Sequence, residues 1–174
     1  PNYGDPADFP GRIDVNTGNE PMEMTAERLA ELKANSEIPG TATLEDRGSD
    51  FQHSNAVAYN AELDQIAMSV RAVSEIWVID HGITEQEARG PAGDLLYRWG
   101  NPETYGRPSL PVGLGHQHDI RWIPAGYPGA GNLMAFSNDA VGAEGPPYSQ
   151  TVEFSPPLTA DGRYEIEDGK AFGP

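Results

Sequence analysis

The chain has 174 residues and a formal net charge of −16, with 27 acidic against 11 basic residues. A surface of this sign repels nucleic acid and anionic lipid, which excludes both as general partners, and it binds an anionic small molecule only where Arg or His cluster locally. There are no cysteines, so a disulfide framework and thiolate metal sites are excluded, and no apolar run is long enough for membrane insertion.

Gly (20) and Pro (16) together make about a fifth of the chain, a composition suited to short strands joined by turns. Disorder is the competing reading, opposed by 3 Trp, 7 Tyr and 5 Phe that sit in apolar runs needing a packed partner. The chain begins at Pro1 without an initiator Met, which points to a processed product or a fragment. Residues 1–20 read as an extended arm with turns. In MEMTAERLAELKAN a helix is expected, with Thr25 as N-cap, Glu27 in the first turn, and Leu29 and Leu32 on one face. Met22 or Met24 would staple its start and Asn35 would end it. A polar loop with Pro39-Gly40 follows, and residues 20–48 form a helical insertion.

From residue 51 the period becomes that of strands: AVAYN (56–60), QIAMSV (65–70) and EIWVID (75–80). ITEQEA (83–88) is a helical turn with a Thr84/Glu87 capping box, and DLLYRWG (94–100) is a fourth strand. After a Pro/Gly-rich loop come HDIRWIP (118–124), NLMAFSN (132–138), YSQTVEF (148–154) and RYEIE (163–167). The two sets are alike. Each has a His-headed strand (His53, His118), an apolar strand, and a third strand opened by Ser74 or Ser149. Such a repeat is the signature of a β-propeller, and the expected fold is all-β: a partial propeller of about two to three blades. A β-sandwich is the alternative reading of the same strands. A propeller closes with about four to eight blades, so the remainder of the ring or another chain must complete it.

The stretch DFQHSNAVAYNAELDQIAMSVRAVSEIWVIDH resembles bacterial arylsulfotransferase-like proteins. DLLYRWGNPETYG, GHQHDIRWIP and GAGNLMAFSND continue the resemblance in the family's order, and it covers nearly everything outside the insertion at 20–48. The resemblance implies a six-bladed propeller in the periplasm or outside the cell. It also implies transfer of a sulfuryl group from a phenolic sulfate ester to another phenol through a covalent histidine intermediate. No nucleotide donor and no cofactor is used. By motif, His53 in H-S-N and His118 in Q-H-D match two supporting catalytic histidines, and Arg71 falls where many members carry an Arg after the second strand. The family's nucleophilic histidine belongs to a later blade, and the Arg often found after the strand matching NLMAFSN has no counterpart in NDAVGAEGPPYS. Part of the active site is therefore expected to be lacking. A non-catalytic binding or structural module at the cell surface is the rival expectation.

Read by their chemistry, His and Arg lining a funnel suit sulfuryl transfer, which needs an in-line nucleophile and donors for the non-bridging oxygens. Asn55 shares the strand face of His53 two residues on, and Arg71 can grip a sulfate by a forked contact; both are expected to bind substrate. Alternatively His53 bonds a neighbouring blade and Arg71 forms an inter-blade ion pair. His116 and His118 form H-x-H, two candidate metal ligands without a third, so no metal site is assigned. Asp80 and Asp119 are candidates to orient adjacent histidines, Arg121 is a second local cation, and His81 reads as a solvated surface residue. Trp77, Trp99 and Trp122 are expected to pack between blades, and Asp161-Gly162 marks a turn.

Overall fold

The computed structural model describes residues 5–14, 25–34, 38–44, 52–109, 113–139 and 148–173. The chain divides into two compact units, Val15–Phe51 and the remainder. In the smaller unit, helix α1 runs Ala26–Ala34, with the Thr25 hydroxyl accepting from the Arg28 amide at 3.1 Å, as an N-cap should. Leu32 is its buried residue, and Leu29 is half-buried. Met22, Met24 and Asn35 lie outside the described residues.

The larger unit is all-β, built from two antiparallel meanders. The first joins β1 (Ser54–Asn60), β2 (Gln65–Val70), β3 (Glu75–Asp80) and β4 (Tyr97–Trp99) in sequence order. Between β3 and β4 a one-turn helix α2 (Glu85–Ala88) carries the expected capping box, with Thr84 and Glu87 satisfying each other's backbone amides. The second meander joins β5 (His118–Trp122), β6 (Leu133–Ser137) and β7 (Gln150–Phe154). Two expectations need correction. β4 spans three residues, not seven, and RYEIE forms no strand: Tyr164 makes only an isolated bridge to Leu158. The Tyr164 side chain is engaged instead, its hydroxyl donating to Gln65 Oε1 at 2.6 Å and its ring lying 5.0 Å from that of Tyr97.

Alternation along the strands gives each sheet two faces. Ala67, Ile76, Val78, Tyr97 and Trp99 of the first sheet meet Ile120, Leu133, Ala135 and Phe154 of the second in one core. Trp99 stacks on Phe154 with ring centroids 4.2 Å apart, and Trp122 packs at the edge of the same core. Across the seam, β5 lies beside β1 and β2. Trp77 turns to the opposite face of the first sheet, with Val70, Val73 and Leu95. There the β3–β4 half is covered: Arg98 reaches the carbonyl of Arg12 at 2.9 Å and the Thr104 hydroxyl at 2.8 Å. The β1–β2 half is open, with Val57 67% and Tyr59 56% exposed. On the far face of the second sheet Met134 and Phe136, the latter 42% exposed, lie among His118, Arg121, Thr151 and Glu153.

Candidate functional site

The residues singled out by sequence gather at one end of the two sheets. His53 immediately precedes β1 in a left-handed conformation (φ 45°), and its carbonyl accepts from the Arg71 amide at 3.2 Å. Arg71 opens a 3-10 turn (Arg71–Val73) that Ser74 closes at φ 57°. The tight turn after β2 thus sets Arg71 beside the head of β1. Arg71 forms no ion pair with any described residue. Asn55, one residue into β1, crosses the seam: its Nδ2 donates to the Gln117 carbonyl at 2.9 Å. Because His118 follows Gln117, that bond ties the head of β1 to the head of β5.

His118 Nδ1 lies 3.0 Å from the His116 carbonyl and 3.3 Å from Asn138 Nδ2, so neighbours on both sides hold the ring. Beside His118 lies an open depression of about 340 Å³, lined by Asp119, Met134, Ala135, Phe136 and Thr151.

Two expectations about the other polar groups are corrected here, and His81 is exposed as expected. His116 lies outside β5 at φ 46°, so strand alternation does not place it with His118, and its Nδ1 contacts Asp139 Oδ2 at 2.7 Å. The carboxylates that orient histidines are Asp139 and Asp64, not Asp119 and Asp80. Asp119 pairs with Arg121, while Asp80 accepts from the Gly82 amide at 2.8 Å. His81, although exposed, is held by Asp64 Oδ1 at 2.6 Å, and that oxygen also accepts from the Tyr59 hydroxyl at 2.8 Å. These two bonds keep the Asp64 carboxyl below the usual carboxylate range. Among the described residues, no group of three or more His, Cys, Asp and Glu side chains can hold a metal ion.

The sequence reading missed two buried polar groups. Arg98 and Glu75 form a forked ion pair with bonds of 2.8 Å, and both side chains are fully enclosed. Thr104 and Trp77 donate to the same carboxylate, and the guanidinium lies 4.4 Å from the centroid of the Tyr105 ring. Opposite charges in two otherwise apolar strands were the available signal. The second group is Gln117, 0% exposed, whose carbonyl also accepts from Ser69 Oγ at 3.2 Å and whose Nε2 donates to the Glu75 carbonyl at 2.8 Å. Gln117 Oε1 and Asn55 Oδ1 are buried with no hydrogen-bond partner. An orphaned buried acceptor costs about 1–3 kcal/mol.

No family model, curated protein or solved structure matches this chain. The candidate residues are His53, Asn55 and Arg71 at one end of the first sheet, and Gln117 and His118 at the adjoining head of β5, with His118 on the Phe136 face of its sheet. Burial raises the Tyr97 phenol far above its ordinary range and pushes Tyr164 up to about 12, so these two hydroxyls stay protonated near neutral pH. No described helix is long and apolar enough to cross a membrane.

Proposed function

We propose that the two sheets are successive blades of an arylsulfotransferase-like β-propeller of the periplasm or cell surface, with His53 and His118 directed to its axis. The observation that carries this reading is a pair of antiparallel meanders in sequence order that share one core while Val57 and Tyr59 of the first sheet stay on an open apolar face. A further sheet would cover that face, as between successive blades. Further sheets, from the same polypeptide or another chain, would close the ring.

On this reading a phenolic sulfate ester enters the axial opening with its sulfonate oxygens near Arg71 and Asn55. A histidine of another blade attacks sulfur through a ring nitrogen, the S–O bond to the aryl group breaks, and the phenolate leaves. His118 or His53, protonated, donates to the departing oxygen; the sulfuryl group then passes to an acceptor phenol as that phenol loses its proton. No cofactor takes part. The test is an assay of the complete propeller with an aryl sulfate donor and a phenol acceptor, together with a mass-spectrometric search for sulfo-histidine. The expected result is turnover that falls by at least about 100-fold in His118→Ala, the usual scale for loss of a general acid. No turnover and no sulfo-histidine would leave the second reading, a non-catalytic surface module. That alternative is favoured by Arg121, the cation nearest His118 in sequence, being occupied by Asp119.

A further inference from the structure

Gln117 stands between the candidate site residues and does not itself reach solvent. Its backbone carbonyl gathers Asn55 Nδ2 from β1 and Ser69 Oγ from β2, and its side chain reaches the carbonyl of Glu75 at the start of β3. One residue just ahead of β5 thus touches three strands of the first sheet. Behind it, Glu75 is held by Arg98, so the anchor for the side chain is itself immobilised. In the next position along the chain is His118.

The amide orientations at this seam are dictated. Both Gln117 Nε2 and Asn55 Nδ2 face carbonyl oxygens, which only accept, so neither amide can be turned over without losing its bond. As a result Gln117 Oε1 and Asn55 Oδ1 are both left without a partner in buried positions. The other buried polar side chains of the seam, Gln65, Ser69 and Ser137, are all hydrogen-bonded, as stability alone would demand. Polar groups kept at an energetic disadvantage beside a candidate site point to a geometric role.

We infer that Gln117 is a positioning residue that locks the head of β5, and with it the His118 imidazole, against Asn55 and the head of β1. The inference rests on the reading that these two strand heads form one site. It acts through main-chain placement and takes no part in any proton or group transfer.

The experiment compares the wild-type protein with Gln117→Met, which keeps side-chain length and removes the amide. Three quantities are read: thermal stability, the exchange rate of the Asn55 side-chain amide, and the NMR chemical shifts of the histidine rings. His81, at the other end of the first sheet, serves as internal reference. The expected result is a folded variant of unchanged or raised melting temperature. Its Asn55 amide protons exchange about fivefold to tenfold faster, the scale of one lost hydrogen bond, and its His118 ring signals move while those of His81 do not. A folded variant whose Asn55 and His118 signals match the wild type overturns the inference. Should Gln117→Met fail to fold, Ser69→Ala decides, because it removes only the hydroxyl bond to the Gln117 carbonyl. The same changes in smaller measure are expected there, and their absence overturns the inference. None of these readouts requires sulfuryl transfer, so failure of the proposed activity and failure of this inference are separately visible.

Discussion

Glu75 and Arg98 show how much depends on single residues in this molecule. Their pairing is fully buried, and removing one partner strands the other charge away from water. Arg98→Met is expected to destabilise the larger unit by about 3–5 kcal/mol in denaturant unfolding, and Glu75→Leu combined with Arg98→Met to recover most of that loss. A single variant of near wild-type stability would mean that the pair contributes little. Neither residue was legible as a partner of the other in sequence. They stand 23 positions apart, and only the register that sets Trp77 opposite Arg98 brings them together. The same holds for Gln117 and Asn55, 62 positions apart. Local chemistry was readable by contrast: the Thr25 cap and the Thr84/Glu87 box depend on residues three apart in one turn.

At the scale of elements, the strands were legible where alternation and β-branched or aromatic residues coincide, as in QIAMSV and EIWVID, whose boundaries match β2 and β3. The reading failed where tertiary partners override the ladder. Leu95 donates to the Gly11 carbonyl at 2.6 Å, so the start of DLLYRWG is drawn toward the N-terminal segment, and β4 is cut to its last residues. RYEIE follows Pro156 and Pro157, and its tyrosine is spent on Gln65 and Tyr97. Termination of β4 rests on Gly100, at φ +130°, where a Cβ would lie 2.2 Å from the Ser74 carbonyl oxygen. Gly100→Ala forces that carbonyl or the turn to move, and it is expected to cost about 1–3 kcal/mol of strain, read by thermal unfolding. Since Ser74 closes the turn that begins at Arg71, the same variant should also shift the backbone amide resonance of Arg71. An unshifted signal would show that the two turns are independent.

For the whole molecule, the legible feature was the repeat. The notion of two alike sets of strands came from their His-headed order, and it corresponds to two antiparallel meanders. What sequence could not show is which faces meet, because alternation defines two faces without saying which one finds a partner. The seam takes Ala67 and Ser69 from one sheet and Leu133, Ala135 and Ser137 from the other, leaving Val57, Tyr59, Met134 and Phe136 on free faces. With a net charge of −16, these exposed apolar residues are set in an acidic surface that discourages unspecific association, and further sheets are the occupants proposed for them. The measurement that tests this most directly is an experimental structure of the complete assembly, by crystallography or electron cryomicroscopy. The account predicts a further sheet seated on Met134 and Phe136, another on Val57 and Tyr59, and the rings of His53 and His118 lining one axial opening. Two sheets closed as a sandwich, with those faces in solvent and the two rings on separate surfaces, would contradict it.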